Sequence, residues 1–280
     1  KPLITIEELP VRCKKGSRLL ASLRKAQEQL CSIQADRQRQ REYRVAVTQQ
    51  YRFLSDYLQN LSDSLAHRAE PPLSRYQPEL SVVSASRDKS NGDRCLWFAG
   101  VECRYYIILC DGMGTGPEAA RDARQTASML KKLLCAGYPA EYALRSVNSL
   151  SALQGRAGAA TIDLAELRLD TGRATVYKWG AAPSYLIYKG DAVKIGTAAP
   201  PPGLSVTDGR ETVERLSLRR GEMLVLLSDG AGGEETLRTC LEDIHAMPGE
   251  LAARILECSE GDNPDDATVA VVRLGERAPT

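Results

Sequence analysis

Four aspartates lie at the edges of apolar runs, where their side chains could share one site. They occur in the segments Asn91-Gly92-Asp93, Asp111-Gly112-Met113-Gly114, Ser228-Asp229-Gly230 and Asp265-Asp266-Ala267-Thr268. Apolar runs of this kind are typical of buried strands, which would hold the carboxylates of Asp111 and Asp229 rigidly. Several carboxylates close together create negative charge that cations relieve. The pattern therefore predicts a site for hard divalent metal ions.

Length and composition are those of a chain that can form a full core. The chain has 280 residues, of which 43% are hydrophobic, and a formal net charge of +1. It has no uninterrupted run of the roughly 18 apolar residues that a membrane span needs. Its start, Lys1-Pro2-Leu3-Ile4, does not resemble a signal peptide. We expect a cytoplasmic protein with no membrane segment in this chain. If the protein is tethered to a membrane, the anchoring segments lie outside this chain.

The cysteines and histidines argue against zinc and histidine chemistry. The eight cysteines form no Cys-x-x-Cys pair and mostly have apolar neighbours, so we expect buried free thiols in a reducing compartment. Only His67 and His245 are available as imidazoles. The sequence therefore favours oxygen ligands and a reaction without a protein nucleophile.

A basic cluster in the first part of the chain does not indicate nucleic-acid binding. Residues 1–70 carry 13 Lys and Arg against 8 Asp and Glu, or +5, which leaves 24 against 28, or −4, for the rest. The cluster consists of Arg37, Arg39, Arg41 and Arg44. It has no recognised reader motif, so we interpret it as a solvated helix face.

Residues 1–72 are predicted to form a helical segment that joins two copies of the chain or regulates it. From near Ser17, apolar residues alternate at spacings of four and three. They are Leu19, Leu23, Ala26, Leu30 and Ile33, then Val47, Tyr51, Leu54, Leu58, Leu61 and Leu65. A continuous helix of about 50 residues would be roughly 75 Å long and would need a partner helix. A break around Gln34–Arg44 would instead fold the halves into a hairpin or onto the downstream domain. Pro71-Pro72 would end the segment.

Residues 73–280 are predicted to form a domain of short strands with two helical blocks. The strand candidates are Leu80–Arg87, Cys95–Val101, Arg104–Cys110, Ala159–Leu167, Ala174–Trp179, Ser184–Tyr188, Ala192–Ile195, Val213–Leu218, Met223–Ser228 and Ala267–Leu274. Their close spacing and hairpin-type turns favour antiparallel sheets. Helices are expected from Pro117 to about Leu134, after Pro139 to about Leu153, and at roughly Glu234–Ala246 and Gly249–Cys258. The predicted fold is α+β, a four-layer αββα sandwich preceded by the long helical segment.

Five short motifs occur in an order that resembles a known family. They are Gly92-Asp93, Asp111-Gly112-Met113-Gly114, Trp179-Gly180-x-x-Pro183, Ser228-Asp229-Gly230 and Asp265-Asp266-x-Thr268-Val269. An Asp-Gly pair alone is typical of a turn, so the order of the set carries the likeness. The set resembles the metal-dependent serine/threonine phosphatases of the protein phosphatase 2C type, most closely the stage II sporulation protein E branch. The likeness covers about residues 78–274, and the upstream helical segment is similar to that branch's regulatory region.

The resemblance implies hydrolysis of phosphoserine on a protein with two Mn²⁺ or Mg²⁺ ions. Asp111 would bridge the two ions. The carbonyl of Gly112 together with Asp93, directly or through water, would complete the first. Asp229 and Asp265 would hold the second ion. Asp111 and Asp229 would be the catalytic residues, acting through the metal-bound water.

Neighbouring residues receive less direct roles. Asp266 is expected to orient the loop of Asp265, with an exchange of these two roles as the alternative. Asp163 is predicted to be an exposed strand residue rather than a ligand of an additional metal. Some family members grip phosphate with an arginine ahead of the first aspartate, and here Arg87 or Lys89 could replace it.

Substrate and control follow from the resemblance as hypotheses. The implied substrate is a small phosphoprotein of the anti-anti-sigma-factor type, in sporulation and sigma-factor regulation. The helical segment would form a homodimer and regulate activity, because a shift of the Pro117 helix would move the carbonyl of Gly112. The alternative function is a catalytically weak phosphatase-fold scaffold that binds a phosphoprotein partner.

Overall fold

The architecture is taken from a computed structural model of the chain. The structure describes residues 16–66, 73–87, 90–114, 116–153, 160–196, 199–203, 211–240, 247–259 and 265–277. The division of the chain at residue 72 falls outside these ranges and stays a prediction.

A single long helix, α1, occupies Gly16–Ala66. Between its ends the sequence contains no proline and no glycine, so nothing in it breaks the helical backbone. The hairpin alternative with a break at Gln34–Arg44 is therefore wrong. Near its C-terminal end, the Tyr57 ring stacks on Tyr138 with the ring centroids 4.5 Å apart, and the Tyr57 hydroxyl donates to the carbonyl of Ala136 at 3.0 Å.

Ten strands form two five-stranded sheets, in which all neighbouring strands are antiparallel. Sheet I has the order β1-β10-β9-β6-β7, and its strands are β1 (Tyr76–Ala85), β6 (Ser184–Tyr188), β7 (Asp191–Ile195), β9 (Met223–Leu227) and β10 (Ala267–Glu276). Sheet II has the order β2-β3-β4-β5-β8, and its strands are β2 (Asp93–Ala99), β3 (Arg104–Asp111), β4 (Ile162–Arg168), β5 (Arg173–Trp179) and β8 (Thr212–Ser217). Each overlaps one predicted strand.

Helices cover the outer faces of both sheets. Helices α2 (Pro117–Cys135) and α3 (Ala140–Leu153) pack against sheet II, and helices α4 (Glu234–Cys240) and α5 (Pro248–Ser259) pack against sheet I. A third apolar cluster, which includes Leu109 and Leu226, fills the space between the sheets. The predicted αββα sandwich is confirmed. The last part of the predicted Glu234–Ala246 helix lies outside the described residues.

The cysteines are less buried than the sequence predicted. Of those that the structure describes, Cys110 and Cys240 are buried, whereas Cys31, Cys135 and Cys258 are exposed. The prediction fails for α1 because this helix exposes its surface along most of its length, whatever the local apolar pattern. Among the described helices, none combines the length and the apolar character of a membrane span.

Candidate metal centre

The hairpin of β2 and β3 places Asp93 and Asp111 opposite each other. The two residues are partners in the antiparallel register. Side chains alternate along a strand, so they lie on the same face as Cys95 and Leu109, which pack between the sheets. Asp93 is buried and Asp111 is half-buried. Both carboxylates therefore face the edge of the space between the two sheets.

Asp229 joins this pair from sheet I. It begins a 3₁₀ turn, Asp229–Ala231, directly after β9, and it is exposed. The pKa of Asp111 is raised to about 8, first because the group is buried and then because Asp93 and Asp229 are negatively charged. The two sheets thus bring three of the four predicted aspartates into one electrostatic cluster.

Asp93 is a buried carboxylate with little to stabilise its charge. Its pKa is raised to about 6, chiefly by burial, even though the nearby Ser228 and Thr268 hydroxyls act to lower it. Among the described residues, neither of its carboxylate oxygens has a hydrogen-bond partner of ordinary geometry. Buried carboxylates with free lone pairs are suited to a cation.

Hydroxyl side chains hold the strands around Asp93 together. The Ser228 hydroxyl oxygen accepts a hydrogen bond from the Thr268 amide at 2.8 Å, and the Ser228 amide donates to the Thr268 carbonyl at 3.0 Å. The Thr268 hydroxyl bonds to the hydroxyl of Ser84 at 3.1 Å. This frame fixes the end of β9 against β10 and β1, directly before Asp229.

Asp266 organises two loops, while Asp265 is exposed beside it. The Asp266 carboxylate accepts hydrogen bonds from the amides of Arg87 at 2.8 Å and Gly92 at 2.6 Å. The Asp265 carboxylate accepts one from the Asp266 amide at 2.8 Å. Asp266 therefore holds the backbone next to Asp93. The role of Asp265 as a direct ligand stays a prediction. Arg87 is exposed, and Lys89 lies outside the described residues.

Two glycines permit close backbone contacts at the site. A Cβ on Gly112 would lie 2.1 Å from the Ala119 carbonyl oxygen in α2, and a Cβ on Gly230 would lie 2.1 Å from the Asp266 carbonyl oxygen. The Gly112 amide donates to the Gly92 carbonyl at 3.2 Å. Gly112 is therefore wedged between the Asp93 loop and the first turn of α2.

One supporting residue has no role in the sequence interpretation. The Thr161 amide donates to the Asp111 carbonyl at 2.7 Å, and its hydroxyl accepts from the Asp111 amide at 3.3 Å. This pair of bonds fixes the backbone of the central aspartate. The segment Thr161-Ile162-Asp163 does not by itself indicate this contact, because Thr161 and Asp111 lie far apart in sequence.

The residues present fit a pair of hard divalent ions in the chemistry of their ligand atoms. Carboxylate and carbonyl oxygens are what Mg²⁺ and Mn²⁺ prefer, and the orphaned oxygens of Asp93 are available to them. Within the described parts of the chain, no three His, Cys, Asp or Glu side chains already stand in metal-binding geometry. The described aspartates therefore form a loose acidic cluster.

Comparison with known proteins identifies the family. The family model of stage II sporulation protein E (SpoIIE) matches residues 102–275. The chain belongs to the SpoIIE family. Stage II sporulation protein E of Bacillus subtilis strain 168 is 29% identical over 191 residues, which cover 63% of this chain and 23% of that protein. The chain spans between 23% and 32% of the length of the curated relatives it matches.

Solved structures share the fold of this SpoIIE-family chain. The phosphatase domain of B. subtilis SpoIIE with a fragment of its regulatory domain has a TM-score of 0.65 and 22% identity, covering 73% of this chain and 64% of that chain. The catalytic domain of the serine/threonine phosphatase PstP, in complex with two manganese ions, has a TM-score of 0.56 and 21% identity, covering 71% and 99% of the two chains. Both are protein phosphatase 2C-type folds.

In this SpoIIE-family domain, Asp163 is not the exposed strand residue that the sequence predicted. It is 0% exposed and forms an ion pair with Lys178. The Ser184 hydroxyl donates to Asp163 at 2.7 Å and bonds to the Lys178 ammonium at 2.8 Å. The prediction is wrong because β4 lies in the middle of sheet II, with the second sheet packed over the face that carries Asp163. The three side chains form a polar cluster that joins β4, β5 and β6.

The raised pKa values predict how the stability of the metal-free SpoIIE-family domain depends on pH. In the folded domain the pKa of Asp93 is about 6 and the pKa of Asp111 is about 8, whereas the pKa of an unfolded Asp is 3.8. Between these limits the unfolded chain binds fewer protons, so stability is greatest at the acidic end and falls as pH rises. Thermal unfolding with a chelator should give a melting temperature that decreases between about pH 5 and about pH 8. A melting temperature that rises over this window would contradict the placement of these groups.

Proposed function

We propose that this domain is a metal-dependent protein serine/threonine phosphatase that uses two Mn²⁺ or Mg²⁺ ions. The observation that carries the proposal is the meeting of Asp93, Asp111 and Asp229 at the end of the two sheets, where clustered carboxylates favour cation binding and where burial raises the pKa values of Asp93 and Asp111. Membership of the SpoIIE family and the shared fold of phosphatase domains support it.

The proposal assigns each ion its own ligands. Asp111 would bridge both ions, Asp93 and the Gly112 carbonyl would complete the first, and Asp229 with Asp265 would hold the second. When bound, two such ions supply positive charge for the phosphoryl oxygens and lower the pKa of a water molecule.

The protein's own contribution is positional. Thr161 fixes the backbone of Asp111, and Asp266 fixes the loop that carries Gly92 and Asp93. Ser228 and Thr268 hold the strand ends before Asp229. Backbone contacts of this kind would hold the ligands in place for the ions, and the proposal requires no protein nucleophile. Both histidines lie outside the described residues, and the proposal requires neither.

The proposed substrate is phosphoserine on a small regulatory phosphoprotein of the anti-anti-sigma-factor type, within sporulation. The support is membership of the SpoIIE family and the likeness to the B. subtilis protein. The test measures phosphate release from such a phosphoprotein with Mn²⁺, with Mg²⁺ and with a chelator. Phosphate release that needs no divalent ion would reject the proposal. So would the absence of phosphate release under every condition.

A catalytically weak scaffold is the second candidate function. It is favoured by one observation: the described acidic side chains do not yet stand in metal-binding geometry. A scaffold would bind the phosphoprotein without releasing phosphate. The same assay, combined with a binding measurement on the phosphorylated and unphosphorylated protein, separates the two candidates.

We further propose that α1 forms a homodimer and regulates the domain. Apolar side chains on the heptad positions of α1 are exposed, including Leu23, Leu30, Ile33, Leu54 and Leu58. Apolar stripes at this spacing bury themselves against a second helix. The Tyr57 contacts with Ala136 and Tyr138 would pass a movement of α1 to the connection between α2 and α3, and α2 abuts Gly112.

The double variant Leu30→Glu with Ile33→Glu should form a weaker homodimer, because it places charges in the apolar stripe. We expect the variant to lose at least about 1.4 kcal/mol of association free energy, which corresponds to at least tenfold weaker self-association. Sedimentation velocity over a concentration series measures it. Gln29→Glu is the matched control, since Gln29 is exposed on the same helix outside the stripe. A dimer of unchanged strength in the double variant would reject this interface.

A further inference from the structure

A groove runs along the outer surface of α2 and begins beside the acidic cluster. It encloses about 660 Å³. Its described lining includes Ser90, Pro117, Arg121, Arg124, Ser128 and Lys132. The helical members are three or four residues apart, so they form one continuous stripe on the helix. From residue 117 to residue 132 the stripe is roughly 22 Å long at about 1.5 Å per residue.

The groove is basic. Arg121, Arg124 and Lys132 are exposed along it. Of the described residues that line the groove, none is acidic, although α2 also carries Glu118 and Asp122. The chain as a whole has a formal net charge of only +1. Positive charge is therefore concentrated on this face of the helix.

The groove and the acidic cluster are neighbours. Ser90 precedes Asp93 by three residues in the loop that Asp266 holds through Gly92. Ala120 also lines the groove, and the adjacent Ala119 abuts Gly112. A chain segment that lies in the groove would thus lead directly to the carboxylates.

We propose that this groove binds an acidic segment of the phosphoprotein substrate, next to the phosphoserine in sequence. The proposal rests on the proposed phosphatase function and adds a substrate preference to it. The carboxylates of Asp93, Asp111 and Asp229 would repel an acidic segment. The arginines beside the cluster would attract the segment and offset this repulsion. Arginine pairs with carboxylates in bidentate geometry. The stripe accommodates about six or seven residues of extended chain at about 3.3 Å each.

The experiment compares two phosphoserine peptides that differ only in flanking residues, one set acidic and the other neutral. Phosphate release with Mn²⁺ gives kcat/KM for each, and the ratio of the two values is the readout. The wild-type domain should prefer the acidic peptide. Because the preference is electrostatic, it should shrink as salt is raised from about 0.05 M to about 0.5 M. A ratio near one in the wild type, or a ratio insensitive to salt, overturns the proposal.

The double variant Arg121→Glu with Arg124→Glu should lower the ratio about tenfold, since exposed charges contribute modestly and two are reversed. Arg121→Gln with Arg124→Gln should give a smaller decrease in the same direction. Lys131→Glu is the matched control, because Lys131 lies on the same helix outside the lining, over the Phe98 ring. An unchanged ratio in both double variants overturns the proposal. So does an equal decrease in the control.

The outcome separates this inference from the proposed function. If the wild-type domain releases phosphate from neither peptide nor from p-nitrophenyl phosphate, the phosphatase function fails. Fluorescence anisotropy of the labelled acidic peptide, with the same variants, then still tests the groove. If release is normal and the arginine variants change only self-association, the groove is an interface between copies and the inference is rejected.

Discussion

Asp111→Asn should reduce Mn²⁺-dependent phosphate release by about a hundredfold or more. The change removes the charge of the residue proposed to bridge both ions, and metal ions supply several kcal/mol of charge stabilisation at about 1.4 kcal/mol per factor of ten. Asp229→Asn should have an effect of similar size. The measurement is kcat/KM for a phosphoserine protein at several Mn²⁺ concentrations, because weaker binding of the metal is partly restored by excess ion.

The control for this variant is Asp191→Asn, the same chemical change at an exposed position in the edge strand β7. It should leave activity unchanged. The metal-free Asp111→Asn variant should be at least as stable as the wild type near pH 8, since it removes a carboxylate whose pKa burial and like charges raise to about 8. An active Asp111→Asn variant would rule out the bridging role. A variant that is inactive because it is unfolded would contradict the electrostatic account of the cluster.

Lys178→Met should destabilise the domain by about 3–5 kcal/mol, the usual cost of removing one partner of a buried ion pair. Both partners are almost completely buried, with side chains 2% and 1% exposed. One Asp163 carboxylate oxygen already has no hydrogen-bond partner among the described residues. Without the ammonium, the Ser184 hydroxyl would be the one remaining hydrogen-bond partner of the carboxylate among the described residues. Chemical denaturation measures the free energy of unfolding.

A double variant tests the physical reason for that loss. Lys178→Met combined with Asp163→Leu should recover most of the stability, because apolar groups of similar volume often replace a buried pair without loss. Lys194→Met is the matched control at an exposed position in β7, and it should change stability by less than about 0.5 kcal/mol. If Lys178→Met is as mild as Lys194→Met, the pair is not a structural anchor of the sheets.

The strands could be predicted because their signals are local. Apolar runs and turn residues mark β3 and β9, and their ends fall within a residue or two of the predicted positions. The continuity of α1 was harder to predict than the strands. The polar residues around Gln34–Arg44 weaken the apolar pattern without breaking the helix. The backbone stays helical there because the residues favour a helix. The pattern of apolar residues describes only the faces of the helix and does not show whether the helix continues.

The site was only partly predictable for the opposite reason. Asp93, Asp111 and Asp229 stand in recognisable motifs, and sheet register brings them together. The contacts of Thr161 with Asp111 and of Asp266 with Gly92 join distant positions, so no local pattern announces them. Asp163 was misjudged because alternation along β4 cannot tell which face of a sheet is covered by a second sheet.

The paired register of β2 and β3 limits how this part of the chain can vary. The strands are joined by the short connection Gly100–Cys103, in which Glu102 and Cys103 adopt positive φ. A one-residue insertion or deletion that slid β2 along β3 would reverse the direction of every side chain in it. Asp93 would then point toward the helices, and Phe98 would enter the space between the sheets. Single-residue changes in the length of this loop should therefore be rare among homologous sequences.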